Sequence, residues 1–315
     1  MIVLLRIFLC VLAVTTVSSS YEEWTGKAVN KCKEYVKYAC DDQNSIINST
    51  LTPNTLDKVM NGEDVPFGLL PHMAFILLSK KLNETTFSGK CSGSLISENF
   101  VLSAAHCTEN IFPINNTFGT VKLGSVTSQN DGTGQWFNVI EIYVHPNFTV
   151  LSKNWNDILL LKLDPKVQFS SQIKPICLGT ELNNDLNTVY LAGWGLDENG
   201  TSSKDLKGAE LSIKDDEIVK SACNHAAKKN FINSTTVICA GFANKTKCSN
   251  KGDSGGPLQA VLSSGCPNTY ELIGVTISHA PSGQVCPRCV SFFTNVKAYI
   301  PWIEGIVWPD YEFSD

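Results

Sequence analysis

Gly252-Asp253-Ser254-Gly255-Gly256-Pro257-Leu258 places one serine between glycines. Glycine lacks a Cβ, so its backbone can adopt dihedrals closed to other residues and can approach other chains closely. In such a turn the amides of Gly252 and Ser254 can point at one spot and stabilise an oxyanion developing there. A serine hydroxyl is a weak nucleophile at neutral pH. It needs a histidine to take its proton and a carboxylate to hold that histidine in one tautomer. Working outward, the chain offers one strong candidate for each. Leu102-Ser103-Ala104-Ala105-His106-Cys107 sets small residues ahead of His106, which lets the backbone pack tightly. Asn156-Asp157-Ile158-Leu159-Leu160-Leu161 sets an acid against a continuous apolar run. An acid there is costly to bury unless something binds it, and a histidine would do so. Taken singly, His106 also reads as a surface histidine beside a structural cysteine, and Asp157 as a solvated turn.

The surroundings are strands. Short apolar runs recur at Met73–Leu78, Gly93–Ile96, Val101–Ala105, Phe137–Val144, Ile158–Leu163, Val189–Gly193, Leu272–Ile277 and Phe292–Val296. They are partly β-branched or aromatic, and Gly, Pro, Asn and Asp separate them. This pattern predicts an all-β sandwich or barrels. Only Asn295–Val307 has helical spacing, through Val296, Tyr299, Ile300, Ile303 and Ile306, and Pro301 weakens it at the centre.

The first twenty residues predict the compartment. They carry Arg6, an apolar stretch over Ile7–Val17 and then small residues, so residues 1–20 read as a cleaved signal peptide and the protein as secreted. That stretch is short for a membrane span. Of the 12 cysteines, Cys10 leaves with the signal, and the eleven that remain fit a disulfide framework. Asn48, Asn83, Asn115, Asn147, Asn199, Asn233 and Asn244 each begin an Asn-X-Ser/Thr glycosylation sequon. Residues 21–58 are polar, lysine-rich and too short for a core of their own, and Ser45–Thr55 reads as an exposed linker. The region reads as a pro-segment before a domain at 59–315. Net charge is -5, which argues against nucleic acid or an acidic membrane as partner. The five histidines show no His-Glu-X-X-His spacing, so no metal and no cofactor is expected.

His106, Asp157 and Ser254 occur in the order, and within the motifs, of the chymotrypsin/trypsin-like serine proteases, which this chain resembles from about Val59 to Ile306. Gly93-Ser94-Leu95-Ile96, Ala192-Gly193-Trp194-Gly195 and Tyr299-Ile300-Pro301-Trp302-Ile303 carry the same likeness. More narrowly, Lys31-Cys32-Lys33-Glu34-Tyr35 and Cys266-Pro267-Asn268-Thr269-Tyr270 resemble arthropod secreted cascade proteases of the snake and easter type, without a full clip module. The resemblance implies two six-stranded antiparallel Greek-key β-barrels and a C-terminal helix. It implies a catalytic triad of His106, Asp157 and Ser254, and an oxyanion hole at Gly252 and Ser254. Lys58-Val59-Met60-Asn61-Gly62 is similar to the family's activation site. Cleavage after Lys58 would free the Val59 amine to pair with Asp253, and burying Asp253 before its partner arrives is expensive.

The specificity pocket departs from the family. Without gaps Cys248 stands where a pocket-floor aspartate would be, and with the disulfide aligned Thr246 does, with Ser249 and Asn250 inserted. Neither register supplies an aspartate, so cleavage after Arg or Lys is not expected. A small or medium apolar residue is the weak alternative, and Lys247 or Lys251 could favour an acidic one. Ser278 and Ala280 would line the walls, and Ser291 stands in place of a glycine and would narrow the pocket. By family position the disulfides are Cys91–Cys107, Cys223–Cys239, Cys40–Cys177 as a tether for the pro-segment, and Cys248 with Cys286 or Cys289. Cys32 and Cys266 are left open. Bridging Cys91 to Cys107 would pin the histidine loop and contribute about 3 kcal/mol. The implied partners are a protein or peptide substrate, an upstream activating protease and a serpin-type inhibitor, with the protease a monomer. The rival reading is an inactive homologue acting as a binding protein.

Overall fold

Seven consecutive buried residues, Met73–Ser79, form strand β2. A strand covered on both faces reads as a continuous apolar run rather than an alternation. The computed structural model describes residues 26–41, 61–79, 89–111, 118–149, 155–179, 188–196, 200–213, 217–242, 249–262, 266, 268–279 and 290–309. Strand β2 pairs with β3 (Gly89–Leu95) and β5 (Phe118–Leu123). With β4 (Phe100–Ser103), β6 (Gln135–Val144) and β7 (Leu159–Asp164) they close a barrel in the order β2-β3-β4-β7-β6-β5.

A second barrel follows from β9 (Thr188–Gly193), β10 (Lys207–Ser212), β11 (Val237–Phe242), β12 (Pro257–Val261), β13 (Tyr270–His279) and β14 (Val290–Asn295). They run β10-β11-β14-β13-β12-β9, and the β9–β10 pairing closes the ring. Strand β1 (Asn61–Asp64) adds to β10, and β8 (Cys177–Leu178) lies parallel to β13. The architecture is two six-stranded antiparallel barrels, as expected. Strands β5 and β10 show no apolar run, since their segments FGTVKL and KGAELS mix glycine and charge with apolar residues. Their neighbours make them strands, because β structure depends on cross-strand pairing more than on intrinsic propensity.

The tail is helical with one adjustment. A short 3-10 turn, Val296–Tyr299, leads into a helix at Ile300–Val307, and Pro301 falls in the helix's first turn. A missing N–H costs nothing there, so the proline starts the helix instead of breaking it. Among the described residues the structure adds two helices beyond those the apolar spacing predicts. Helix α1 spans Lys27–Asp41 and α2 spans Glu217–Lys228; the tail helix is α3. Helix α2 buries Val219, Ala222 and Ala226 against Val290 and Phe292. Its apolar stripe is mostly alanine, a weak hydrophobic signal.

Helix α1 forms no core of its own and shares that of the barrels. Ala28 joins the main core cluster, Tyr35 donates to the Ile96 carbonyl at 3.1 Å, and Tyr35 and Tyr38 pack edge-on against Phe169. At its N-terminus Lys27 Nζ donates to the Trp308 carbonyl and the Ala28 N–H to Glu304 Oε1, each at 2.7 Å. The expected Cys40–Cys177 bridge is corrected. Cys32 bonds Cys177 and Cys40 bonds Cys266, while Cys91–Cys107 and Cys223–Cys239 form as expected. The physical reason is the helix. Cys32 and Cys40 lie about 12 Å apart along its axis at about 1.5 Å per residue, so each reaches a different anchor. The expected partners Cys248, Cys286 and Cys289 lie outside the described residues, as does Ser45–Thr55.

Candidate active site

Antiparallel register brings His106 and Asp157 together. Ser103 at the end of β4 faces Leu159 at the start of β7, so the residues just beyond both meet at one end of the first barrel. The Asp157 carboxylate is fully buried. One of its oxygens accepts the His106 backbone N–H at 2.9 Å, and the other lies 2.7 Å from His106 Nδ1. A carboxylate can only accept, so Nδ1 carries the proton and Nε2 is left basic. The second barrel holds this acid from behind. Thr294 Oγ1 donates to the Asp157 carbonyl at 2.7 Å, and the Tyr299 hydroxyl to Asn156 Oδ1 at 3.0 Å.

Ser254 arrives from the second barrel. The Ser92 N–H donates to the Ser254 carbonyl at 2.8 Å, and Gly255 N–H to the Thr276 carbonyl at 2.8 Å. Gly255 has φ +78°, and a Cβ on it would lie 2.0 Å from Ser103 Oγ and 3.0 Å from the Ala104 nitrogen. The serine turn is therefore pressed against the strand end that leads into His106. Gly252 has φ +105°, and its carbonyl accepts from Ser92 Oγ at 3.0 Å. Among the described residues, neither the Gly252 nor the Ser254 amide donates a hydrogen bond within the protein.

The Asp253 carboxylate was expected to wait for a partner. Instead two backbone amides already hold it: Gly195 N–H at 2.8 Å on one oxygen and Asn250 N–H at 2.8 Å on the other. Burial still pushes its pKa up to about 6, with those two amides opposing the shift. Lys58 and Val59 lie outside the described residues.

For the pocket, Ser291 is fully buried on β14, opposite Ala240 of β11 and His279 of β13. Its hydroxyl lies 2.7 Å from that of Ser249, which is also buried. Ser278 sits half-buried at the β13 irregularity opposite Phe292. Thr246, Cys248 and Ala280 lie outside the described residues. The sequence does not mark Ser249 as a pocket residue, because one register makes it an insertion. Its place before the glycine turn was the available signal. Of the sequons, Asn147 is exposed and Asn233 half-buried, with Thr235 donating to Asn233 Oδ1; the other five lie outside the described residues.

The profile of the trypsin family matches residues 59–303. This chain belongs to the trypsin family. The chain is similar to serine protease Hayan of Drosophila melanogaster, 34% identical over 266 residues that cover 81% of this chain and 40% of Hayan. It is 28% identical over 294 residues to serine protease snk of the same fly, covering 89% of this chain and 64% of snk. It is 33% identical over 267 residues to chymotrypsin-like elastase family member 1 of Rattus norvegicus, covering 81% of this chain and 91% of that protein. The trypsin-family chain thus spans well under two thirds of Hayan and just under two thirds of snk, while it covers nearly all of the rat elastase.

Proposed function

We propose that this protein is a secreted serine endopeptidase, made as a zymogen and activated by cleavage after Lys58. The observation that carries the reading is the pairing of buried Asp157 with both the backbone N–H and Nδ1 of His106, at the strand end against which the Ser254 turn packs. In this reading Ser254 Oγ attacks the substrate carbonyl while His106 Nε2 takes its proton. Asp157 stabilises the imidazolium so formed. The carbonyl oxygen becomes an oxyanion, received by the unengaged amides of Gly252 and Ser254. His106 then protonates the leaving amine, and the acyl-enzyme that remains is hydrolysed by water through the same base.

Activation follows the Asp253 side chain. Among the described residues its desolvated carboxylate has two amide donors and no cation, so a new ammonium at Val59 would gain an ion pair by reaching it. The region ahead of the cut would stay attached through Cys32–Cys177 and Cys40–Cys266. The buried Ser249–Ser291 pair supports a pocket for uncharged residues rather than Arg or Lys. The secreted compartment is supported by the signal-like first twenty residues and by the bonded cysteines.

The test is a fluorophosphonate that acylates activated serines, applied to the secreted chain before and after cleavage at Lys58. Labelling of the cut wild type alone, absent in Ser254→Ala, is expected. A folded, correctly cut protein that takes no label would instead be a binding homologue.

A further inference from the structure

Lys122 is a charged side chain buried in the first barrel, 2% exposed, and the chemistry above does not use it. Strand β5 carries it to the base of the turn at 124–134. An ammonium has three N–H donors and no acceptor. Lys122 Nζ donates to the Thr127 carbonyl at 3.1 Å, the Gln129 carbonyl at 2.5 Å and Asp131 Oδ1 at 3.2 Å. Three donors meet three oxygens of one loop, the arrangement a bound cation would impose. The Trp136 ring, 5.9 Å from Nζ, adds its π-face. A buried ammonium is tolerable only when paired and hydrogen-bonded, so this loop and this lysine must order together.

The same loop grips the second barrel. The Val126 carbonyl accepts the Trp194 indole N–H at 3.0 Å and the Leu206 N–H at 2.6 Å. Ser128 N–H donates to the Lys204 carbonyl at 2.8 Å. Trp194 leads directly into Gly195, whose N–H holds Asp253 at 2.8 Å. The Trp194 carbonyl also lies against the oxyanion turn, where a Cβ on Gly252 would come within 2.9 Å of it.

We propose that Lys122 is the resident cation of the 124–134 loop and a positioning residue for the catalytic centre: it holds Val126 where its carbonyl seats Trp194, and Trp194 seats Gly195 and the Gly252–Ser254 turn. The catalytic half of this statement rests on the peptidase reading above. The loop fills its own cation position, so its order and the enzyme's rate are independent of added metal ions.

The experiment uses the full chain cleaved at Lys58. In Lys122→Met the acylation rate with fluorophosphonate and kcat on a peptide both fall about tenfold, while KM changes less than about twofold, because positioning and not binding is lost. Amide exchange quickens at residues 125–131 and at Gly195 together, and stays unchanged in α2. In Lys122→Ala, n-propylammonium replaces the missing three carbons and nitrogen and restores the rate, while the wild type ignores it. Trp194→Phe, which removes the indole N–H together with the ring that carries it, slows acylation with the Lys122 cage intact. EDTA leaves wild-type rate and exchange unchanged. The proposal is overturned if Lys122→Met or Trp194→Phe acylates at the wild-type rate, or if EDTA slows the wild type. Should Lys122→Met not be secreted, Trp194→Phe and the milder Asp131→Asn decide the matter by the same readouts. A wild type that takes no label sinks the peptidase reading instead. Exchange at Gly195 in Lys122→Met then still judges the link from loop to oxyanion turn.

Discussion

At Asp157 the two carboxylate oxygens have separate tasks, one on the His106 backbone and one on its ring. Asp157→Asn can keep at most one of these bonds well made, and its amide favours the wrong imidazole tautomer. The expected loss in kcat is about 10⁴-fold, the size seen for the same change in the serine-protease template; steady-state assay of the cut enzyme checks it. Gly255 is equally constrained, by space. A methyl group there would meet Ser103 Oγ at 2.0 Å and the Ser92 carbonyl at 2.4 Å, at a φ of +78°. Gly255→Ala should destabilise the fold by about 1–3 kcal/mol or more from backbone strain alone, measured as a lower denaturant midpoint at unchanged slope. Both residues were legible in the sequence, since each stands in a short string whose local chemistry is unusual. Ser249 was not, because its partner Ser291 lies 42 residues away and only the barrel brings their hydroxyls together.

Helix α1 shows how an element can be invisible locally and firmly placed globally. Its fifteen residues bury only Ala28 and Ala39, and the stripe through Ala28, Cys32, Tyr35 and Ala39 is too small and polar to stand out. Its order comes from two disulfides, from Tyr35 on Ile96 and from its N-terminal bonds to α3. Cleavage at Lys58 should therefore release nothing. On a non-reducing gel the cut protein should migrate as one band, and on a reducing gel as two. Cys32→Ala or Cys40→Ala alone should keep the light chain attached, and only the double variant should shed it. Release from either single variant would contradict the paired tether. The tail helix taught the opposite lesson about a visible residue: Pro301 looked like a breaker and proves to be a first-turn residue, because the helix starts one turn later than the apolar spacing.

Across the whole molecule the two barrels meet over a buried polar seam. His72 of the first barrel is fully enclosed, with its ring 5.6 Å from Tyr270 of the second and Gln259 beside it. Desolvation lowers its pKa to about 3, and the nearby Gln259 amide opposes this only in part. The folded protein thus keeps His72 neutral where the unfolded chain takes a proton near pH 6.5. Stability from this group is intact above that value and falls as pH drops from about 6.5 towards 3, by about 1.4 kcal/mol per unit. Denaturant midpoints measured from pH 7 to 4.5 should fall less steeply in His72→Phe than in wild type. Equal slopes would show that acid sensitivity lies elsewhere.

Resemblance to the family implied the two disulfides closed within neighbouring segments, and the sequence by itself determined the family, the β class and the three catalytic candidates. These are properties of short strings, whose chemistry and spacing are written contiguously. Tertiary structure alone decided which cysteine of α1 meets which anchor, that Asp253 has two amide donors, that Ser249 and Ser291 share a hydrogen bond, and that buried Lys122 meets three oxygens of a loop whose Val126 carbonyl holds Trp194. Each of these depends on groups far apart in the chain, brought into contact by barrel closure and by the packing of one barrel on the other. A hydrogen bond or a bridge has no sequence signature until the backbone that carries both partners has been folded.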